Sequence, residues 1–312
     1  MSNYHLPVLP EETLEYLKPS SMNLIVDGTL GDGGHAELIL KNTPSHCRLL
    51  GIDRDPSALE RAKKRLAPYK DRIILVHGNY KDITEILMEE RIDKIDGFLL
   101  DLGVSSQQLD TPERGFSLKA DGPLDMRMNP SDPKTAADLL GESSDKELYS
   151  ILREYGEERF SKRIVRAIRK AQANNPLKTT LQLARIVRNA APQAHHFRID
   201  PATRTFQGLR IAVNNELEPL KQTLKDFLFA LNKTGRAIVI SFHSLEDRIV
   251  KHVFAEKAKG CICPPKIPMC ICGIKSSLQI LTKKPVRASS LELEKNSRAS
   301  SAKLRAAVKI YA

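Results

Sequence analysis

The residues able to do chemistry in this chain gather first at positions 27–35, DGTLGDGGH, where four glycines lie among two aspartates and a histidine. An apolar run, Leu24, Ile25 and Val26, precedes them, and a second apolar run follows from residue 36 to residue 40. Strand, glycine loop and helix in that order bring bare backbone N–H groups up to a nucleotide-like ligand. Glycine suits the place because it reaches φ > 0 at no steric cost and lets a ligand touch the main chain. Gly31, Gly33 and Ala36 also match the dinucleotide pattern G-x-G-x-x-G/A.

Carboxylates discriminate between two ligands for such a loop. A pyrophosphate wants a helix N-terminus free of negative charge. Here Asp27 and Asp32 flank the glycines, Asp53 and Asp55 follow the next apolar run, and Asp101 ends another. In an open parallel sheet the carboxyl ends of the strands converge on one crevice. A crevice lined by these acids repels a pyrophosphate and suits S-adenosylmethionine, which carries an ammonium and a sulfonium. Under either reading Asp53 is placed for ribose hydroxyls, Tyr80 for the adenine ring and Gln108 for a further polar contact. Taken singly, each aspartate also suits a turn or a helix cap.

The elements that must position these residues follow from hydropathy. Apolar runs at 24–26, 48–53, 72–76 and 95–100 alternate with amphipathic stretches at 35–42, 56–66 and 82–90, the spacing of a parallel α/β sheet buried on both faces. The rhythm stops after residue 100 and resumes with a strand at 237–241. Between them lie a loop-like tract and helical patterns near 145–155, 157–174, 180–190 and 200–231, broken at Asn175-Pro176 and Ala191-Pro192. The expected architecture is a Rossmann-like, mostly parallel α/β sheet formed by residues 1–108 and 211–312, with an all-helical substrate-recognition insert at 109–210. A helix capped by Ser244, with Asp247 three positions on, should follow the fifth strand. Residues 278–286 and 302–310 should close the sheet as an antiparallel pair.

Charge points to the second substrate. The chain of 312 residues has a formal net charge of +11, which favours a polyanion, nucleic acid first. Between residues 151 and 210 thirteen Lys and Arg stand against four acids. Arg159, Lys162, Arg163, Arg166, Arg169 and Lys170 recur at helical spacing, as a phosphate-tracking face would. Aromatic residues make up only 5% of the chain and Trp is absent, which disfavours a broad base-stacking platform. No apolar run approaches a membrane span, and the first thirty residues hold acids and prolines rather than a secretory pattern, so a cytoplasmic protein without membrane contact is expected.

Four of the five cysteines form two C-x-C pairs, Cys261 with Cys263 and Cys270 with Cys272. Three readings stay open: structural zinc, although zinc sites favour C-x₂₋₄-C spacing; reduced thiols in a loop; or redox pairing.

Several longer strings carry a resemblance. DGTLGDGGH (27–35), DLGVSSQQLD (101–110), RGFS (114–117), DGPLDMRM (121–128), ATRTFQGLRIAVNNEL (202–217) and SFHSLEDR (241–248) lie in the order found in the bacterial RsmH methyltransferases, also called MraW, and the chain resembles that family from HLPVL near its start to about residue 310. The resemblance implies a class I S-adenosylmethionine-dependent fold with a helical insert. It also implies methylation of N4 of a cytidine in 16S ribosomal RNA, in the decoding region of the small subunit. It maps the cofactor contacts onto Gly33, Gly34, His35, Asp53, Tyr80, Asp101 and Gln108, with Tyr80 where the family pattern leads one to expect Phe. The Asp/Asn-Pro-Pro-Tyr signature of many amino-methyltransferases is absent after the fourth strand, where DLGVSS stands. The acceptor for the amine proton is therefore open among Asp101, the backbone carbonyls after it, Ser241 and His243.

Overall fold

The computed structural model describes residues 6–192, 199–260, 263, 272–273 and 275–311. The chain folds as two compact units, one formed by residues 1–103 and 218–312, the other by residues 104–217.

The first unit is a seven-stranded sheet. Its strands are β1 (Leu24–Asp27), β2 (Arg48–Asp53), β3 (Ile73–His77), β4 (Ile95–Asp101), β5 (Leu231–Ser241), β6 (Leu278–Ile280) and β7 (Lys303–Lys309), in the spatial order β3-β2-β1-β4-β5-β7-β6. The first five are parallel, while β7 runs antiparallel to both β5 and β6. The order reverses between β1 and β4, so the crevice of this sheet opens where Asp27 and Asp101 end their strands.

The period-2 alternation of each strand feeds two separate cores. Val26, Leu50, Phe98, Leu100 and Val239 face one way, where α4 (Ile83–Glu89), α11 (Leu220–Ala230) and α12 (Ser244–Lys259) bury Ile83, Leu224, Phe227, Val253 and Phe254. Their neighbours Ile25, Leu49, Leu99, Ile238 and Ile240 face the other way, against α1 (Pro10–Leu17), α2 (Gly34–Lys41) and α3 (Pro56–Arg65), which bury Leu17, Ile39, Leu40 and Ala62. The rings of Phe98 and Phe227 lie 4.7 Å apart in the first core, a tilted aromatic pair.

The second unit is helical: α5 (Ser106–Asp110), α6 (Ala136–Glu142), α7 (Asp145–Ser150), α8 (Ser161–Gln172), α9 (Thr180–Ala190) and α10 (Ala202–Asn214) surround a third core of Leu140, Leu148, Ile164, Ile168, Leu183, Val187 and Leu209. Val104 and Val213 pack on this core, which is why residues 104–108 and 211–217 go with the helices rather than with the sheet. No helix among the described residues is long and apolar enough to cross a membrane.

The pattern over 200–231 divides into α10 and, leading into β5, α11, because Asn215 takes a left-handed conformation (φ 45°) at the end of α10 and Pro219 opens α11. Two local expectations are corrected. The cap of α12 is His243, not Ser244: its ring accepts from the Glu246 N–H, and Glu246 reaches back in a capping box one residue earlier than expected. Asp247 instead pairs with Arg305 on β7, at 2.6 Å. Finally, the strand expected over 278–286 is only β6 and an isolated bridge from Val286 to Leu304.

Candidate active site

The glycine loop is held from both sides by its own backbone. Gly28 N–H donates to the Leu99 carbonyl of β4 (3.0 Å), and Leu30 N–H donates to the Ile52 carbonyl of β2 (3.0 Å). Gly33 then turns the chain into α2 at φ 76°, a conformation in which any side chain is strained, and a Cβ there would also meet Leu66 at 3.2 Å. A side chain at Gly28 would displace a packed neighbour: its Cβ would stand 2.5 Å from the end of the Leu100 side chain, with Tyr80 just beyond at 3.2 Å. Tyr80 thus backs the loop at the start of the turn after β3, packed on the first core.

Asp53 closes the loop from β2. Its Oδ2 accepts from Gly31 N–H (2.7 Å) and its Oδ1 from Asp55 N–H (2.8 Å), so each carboxylate oxygen keeps a lone pair for a ligand hydroxyl. Burial pushes its carboxyl above the usual range, opposed by these two backbone donors.

Asp27 and Asp101 stand at the ends of adjacent strands. Asp27 Oδ1 accepts from Thr29 N–H (3.2 Å), while Oδ2 is buried with no hydrogen-bond partner among the described residues. Desolvation, with a smaller push from Asp53, raises its carboxyl to about 7. Asp101 donates its backbone N–H to Thr29 Oγ1 (2.6 Å), and its Oδ1 is likewise buried without a partner. Burial first, then the charges of Asp27 and Glu246, push its carboxyl well above the usual range. His35, in the first turn of α2, brings Nε2 to 3.7 Å from Asp101 Oδ2, too far for a hydrogen bond, and neither ring nitrogen has a partner. Burial, helped by Arg65, lowers the imidazole to about 4, so it stands neutral beside the acids.

The loop after β5 supplies the remaining candidates. Ser241, buried, donates its hydroxyl to the Lys303 carbonyl (3.4 Å). His243 Nδ1 accepts from Glu246 N–H (3.4 Å), and its Nε2 lies 3.2 Å from Glu246 Oε1 at an angle that makes no hydrogen bond. Glu246 Oε2 in turn accepts from Phe242 N–H (3.0 Å).

Gly33, Gly34, His35, Asp53, Tyr80, Asp101, Ser241 and His243 therefore all belong to the sheet unit. Gln108 belongs to the helical unit, where it is buried and caps α5 in a box with Ser105: Ser105 N–H donates to Gln108 Oε1 at 3.0 Å. Two of the five acids do not bear on the loop as open charges. Asp32 is neutralised by Arg61 at 2.8 Å, and Asp55 caps α3 through Ser57 N–H. Two contributors escape a reading of the sequence. Thr29 is hidden within the glycine string as an ordinary turn residue, and the spacing H-x-x-E of His243 and Glu246 goes unnoticed because His is an uncommon cap. Of the cysteines, Cys263 and Cys272 are half-buried, while Cys261 and Cys270 lie outside the described residues.

The family described as the MraW methylase family matches residues 2–310. The chain belongs to the MraW methylase family. It is 53% identical over 311 residues to "Ribosomal RNA small subunit methyltransferase H" of Geobacter sulfurreducens, covering 99% of this chain and all of that protein. A protein of the same name from Heliobacterium mobile is 51% identical over 312 residues, at 99% and 100% coverage. A solved rRNA methylase from Streptococcus thermophilus aligns with a TM-score of 0.43 and 8% identity, over 96% of this chain and 93% of that one. The seven-stranded order with a single reversed strand, β7, is the class I S-adenosylmethionine-dependent methyltransferase sheet.

The residues of the crevice fit that cofactor. A glycine loop with positive φ at Gly31 and Gly33 leaves room for a ligand against the backbone, and two buried carboxylate oxygens, Asp27 Oδ2 and Asp101 Oδ1, wait without donors beside it. An uncompensated pair of buried acids suits a cation and opposes a pyrophosphate.

Proposed function

We propose that this protein transfers a methyl group from S-adenosylmethionine to N4 of a cytidine in 16S ribosomal RNA of the small subunit, working in the cytoplasm. The observation that carries the reading is the pair of unpartnered buried carboxylates, Asp27 and Asp101, at the switch point of the sheet in a member of a methylase family. The names of the relatives, which are small-subunit rRNA methyltransferases, support the RNA substrate.

S-adenosylmethionine supplies an electrophilic methyl group on a sulfonium. The protein's part is positioning, charge compensation and a place for the amine proton. Gly33, Gly34 and the backbone of His35 receive the cofactor's polar end, Asp53 the ribose hydroxyls, Tyr80 the adenine ring, and Gln108 a further polar contact. Cytosine N4 is a poor nucleophile because its lone pair is delocalised into the ring. An acceptor for its N–H favours pyramidalisation as the new bond forms. The target base has to be unstacked to present that amine. Among the candidate acceptors Asp101 takes first place, with an unengaged buried oxygen and a neutral imidazole 3.7 Å away. Ser241 and His243 come second, because the Ser241 hydroxyl and the His243 Nδ1 are already engaged with the Lys303 carbonyl and the Glu246 N–H.

The test uses labelled S-adenosylmethionine with small subunits from cells that lack the enzyme. Label on the RNA, located at N4 of one cytidine, is expected. Label on ribosomal protein, or none on RNA, would overturn the reading.

A further inference from the structure

The basic side chains of the helical unit fall into two groups. Those of the first are engaged inside the unit. Arg169 donates from Nε to Asp145 Oδ1 (2.7 Å) and from Nη1 to the Leu140 carbonyl (2.7 Å), and its Nη2 reaches the Ser143 carbonyl. Arg188 pairs with Asp200 at 2.6 Å, Arg127 with Asp125 at 2.7 Å and Arg210 with Glu216 at 2.7 Å. The second group has no such partners. Arg159, Arg163, Arg166 and Lys170 are exposed and make no ion pair or side-chain hydrogen bond among the described residues, and Lys162 makes only a distant approach, 5.8 Å, to the Tyr149 ring.

This division follows the geometry of α8. At about 100° per residue, Lys162, Arg163, Arg166 and Lys170 share an arc of about 100°. The buried residues Ser161, Ile164, Val165 and Ile168 occupy the opposite side, the last three in the third core. Arg169 sits at the border, half-buried, and is drawn inward to the carbonyls that end α6. It therefore leaves the phosphate-tracking set that spacing alone suggests.

A merely solvated helix face would interleave both signs of charge. Here the i, i+4 neighbours Lys162, Arg166 and Lys170 are all positive. That arrangement costs the isolated helix a few tenths of a kcal/mol per pair. The face spans about 12 Å, the length of two or three nucleotides of extended strand. None of its residues is aromatic, so it offers charge without a stacking platform.

We infer that the outer face of α8, made by Lys162, Arg163, Arg166 and Lys170 with Arg159 at its head, binds the phosphate backbone of the RNA substrate. The inference rests on the reading above that the substrate is RNA. The face holds the strand by charge and reads no bases, so it governs capture of the substrate and leaves the methyl-transfer step alone.

The test compares wild type with the triple variant Arg163→Gln, Arg166→Gln, Lys170→Gln, which keeps good helix formers. Lys63→Ala with Lys64→Ala, exposed on α3 of the sheet unit, controls for lost charge in general. Affinity for a single-stranded fragment of small-subunit RNA is measured against salt, alongside calorimetric binding of S-adenosylmethionine and methylation of small subunits. In the triple variant we expect RNA affinity to fall about tenfold or more at about 0.1 M salt, and the log–log salt slope to shrink by about 2. KM for the subunit should rise while kcat, cofactor affinity and the control stay as in wild type. Wild-type affinity and slope in the triple variant, with wild type still labelling RNA, would overturn this inference and spare the functional reading. Equal loss in the α3 control would also overturn it. If wild type labels no RNA, both readings fall together.

Discussion

Asp27→Asn should make the protein more stable and a poorer binder of its cofactor at the same time. The Asp27 carboxyl is fully buried, and one of its oxygens has no donor among the described residues. Its pKa is raised from 3.8 to about 7, chiefly by desolvation. The sign follows by linkage: the folded chain holds this proton more tightly than the unfolded one. Folding is therefore unpenalised below the unfolded pKa, loses stability as pH rises from about 4, and carries the whole penalty above about 7. Three units at 1.36 kcal/mol each set the ceiling at about 4 kcal/mol. Asparagine keeps an oxygen for the Thr29 N–H and brings no charge, so the variant should escape the penalty. Thermal unfolding of the two proteins at pH 5 and pH 8 tests this. We expect a small difference at pH 5 and a gain for Asp27→Asn at pH 8, up to roughly 8–16 °C at the ceiling. Calorimetry with S-adenosylmethionine should show the reverse order, with affinity at least tenfold weaker in the variant. For the wild type, affinity should fall as pH drops below about 7, where Asp27 takes up its proton. A variant no more stable than wild type at pH 8, or an equal difference at both pH values, would refute the account of Asp27 as a buried charge retained for a cationic ligand.

Three further outcomes can be measured. Asp53→Ala removes both the proposed ribose contact and the anchor of Gly31 N–H, and should weaken cofactor binding about 10- to 100-fold by calorimetry; unchanged affinity would take Asp53 out of the site. Asp247→Ala strips the carboxylate from Arg305, which is only 7% exposed, and should cost about 3 kcal/mol in denaturant unfolding, with no direct effect on cofactor affinity in the folded protein. Metal analysis of the purified protein, with and without Cys261→Ser, decides among the three readings of the cysteine tract: one zinc per chain, lost in Cys261→Ser, establishes a metal site, and zinc well below one per chain excludes it.

Most of the sheet was legible because its strands read as unbroken apolar runs, and inside the sheet they are buried on both faces, as in LLGI of β2 or FLL of β4. The helix over 180–190 was equally plain, with Thr179 and Gln182 forming the capping box at its start. What escaped was decided by partners distant in sequence. The short helix α5 lies in a tract that reads as loop and α6 lies just beyond it, before the first helical pattern; they hold because Ser105 and Thr135 cap them and the third core covers them. Asp32 looks like a crevice acid until α3 brings Arg61 to it from 29 residues away. Arg169 shares its spacing with the exposed cations of α8 and differs only in reaching the ends of α6 and the start of α7. Within the candidate site the order of strand ends placed Asp27, Asp53 and Asp101 together, because parallel topology carries that information. The proton states of Asp27 and His35 depend on depth of burial, which composition does not express.

The position of β7 has a consequence for how the protein is made. This strand fills the slot between β5 and β6, pairing Ser241 with Lys303 and Ile280 with Ala307. On the ribosome β5 is complete some seventy residues before β7, an interval of roughly 3–14 s at ordinary elongation rates. Through that interval one side of β5, with Ile238 and Ile240 in it, is a bare parallel edge, and β6 has no neighbour at all. Pairing of β7 thus covers the bare side of β5 and leaves the short strand β6 as the edge of the sheet. A nascent protein stalled within the segment 282–302 would be the form most exposed to aggregation and most dependent on chaperones.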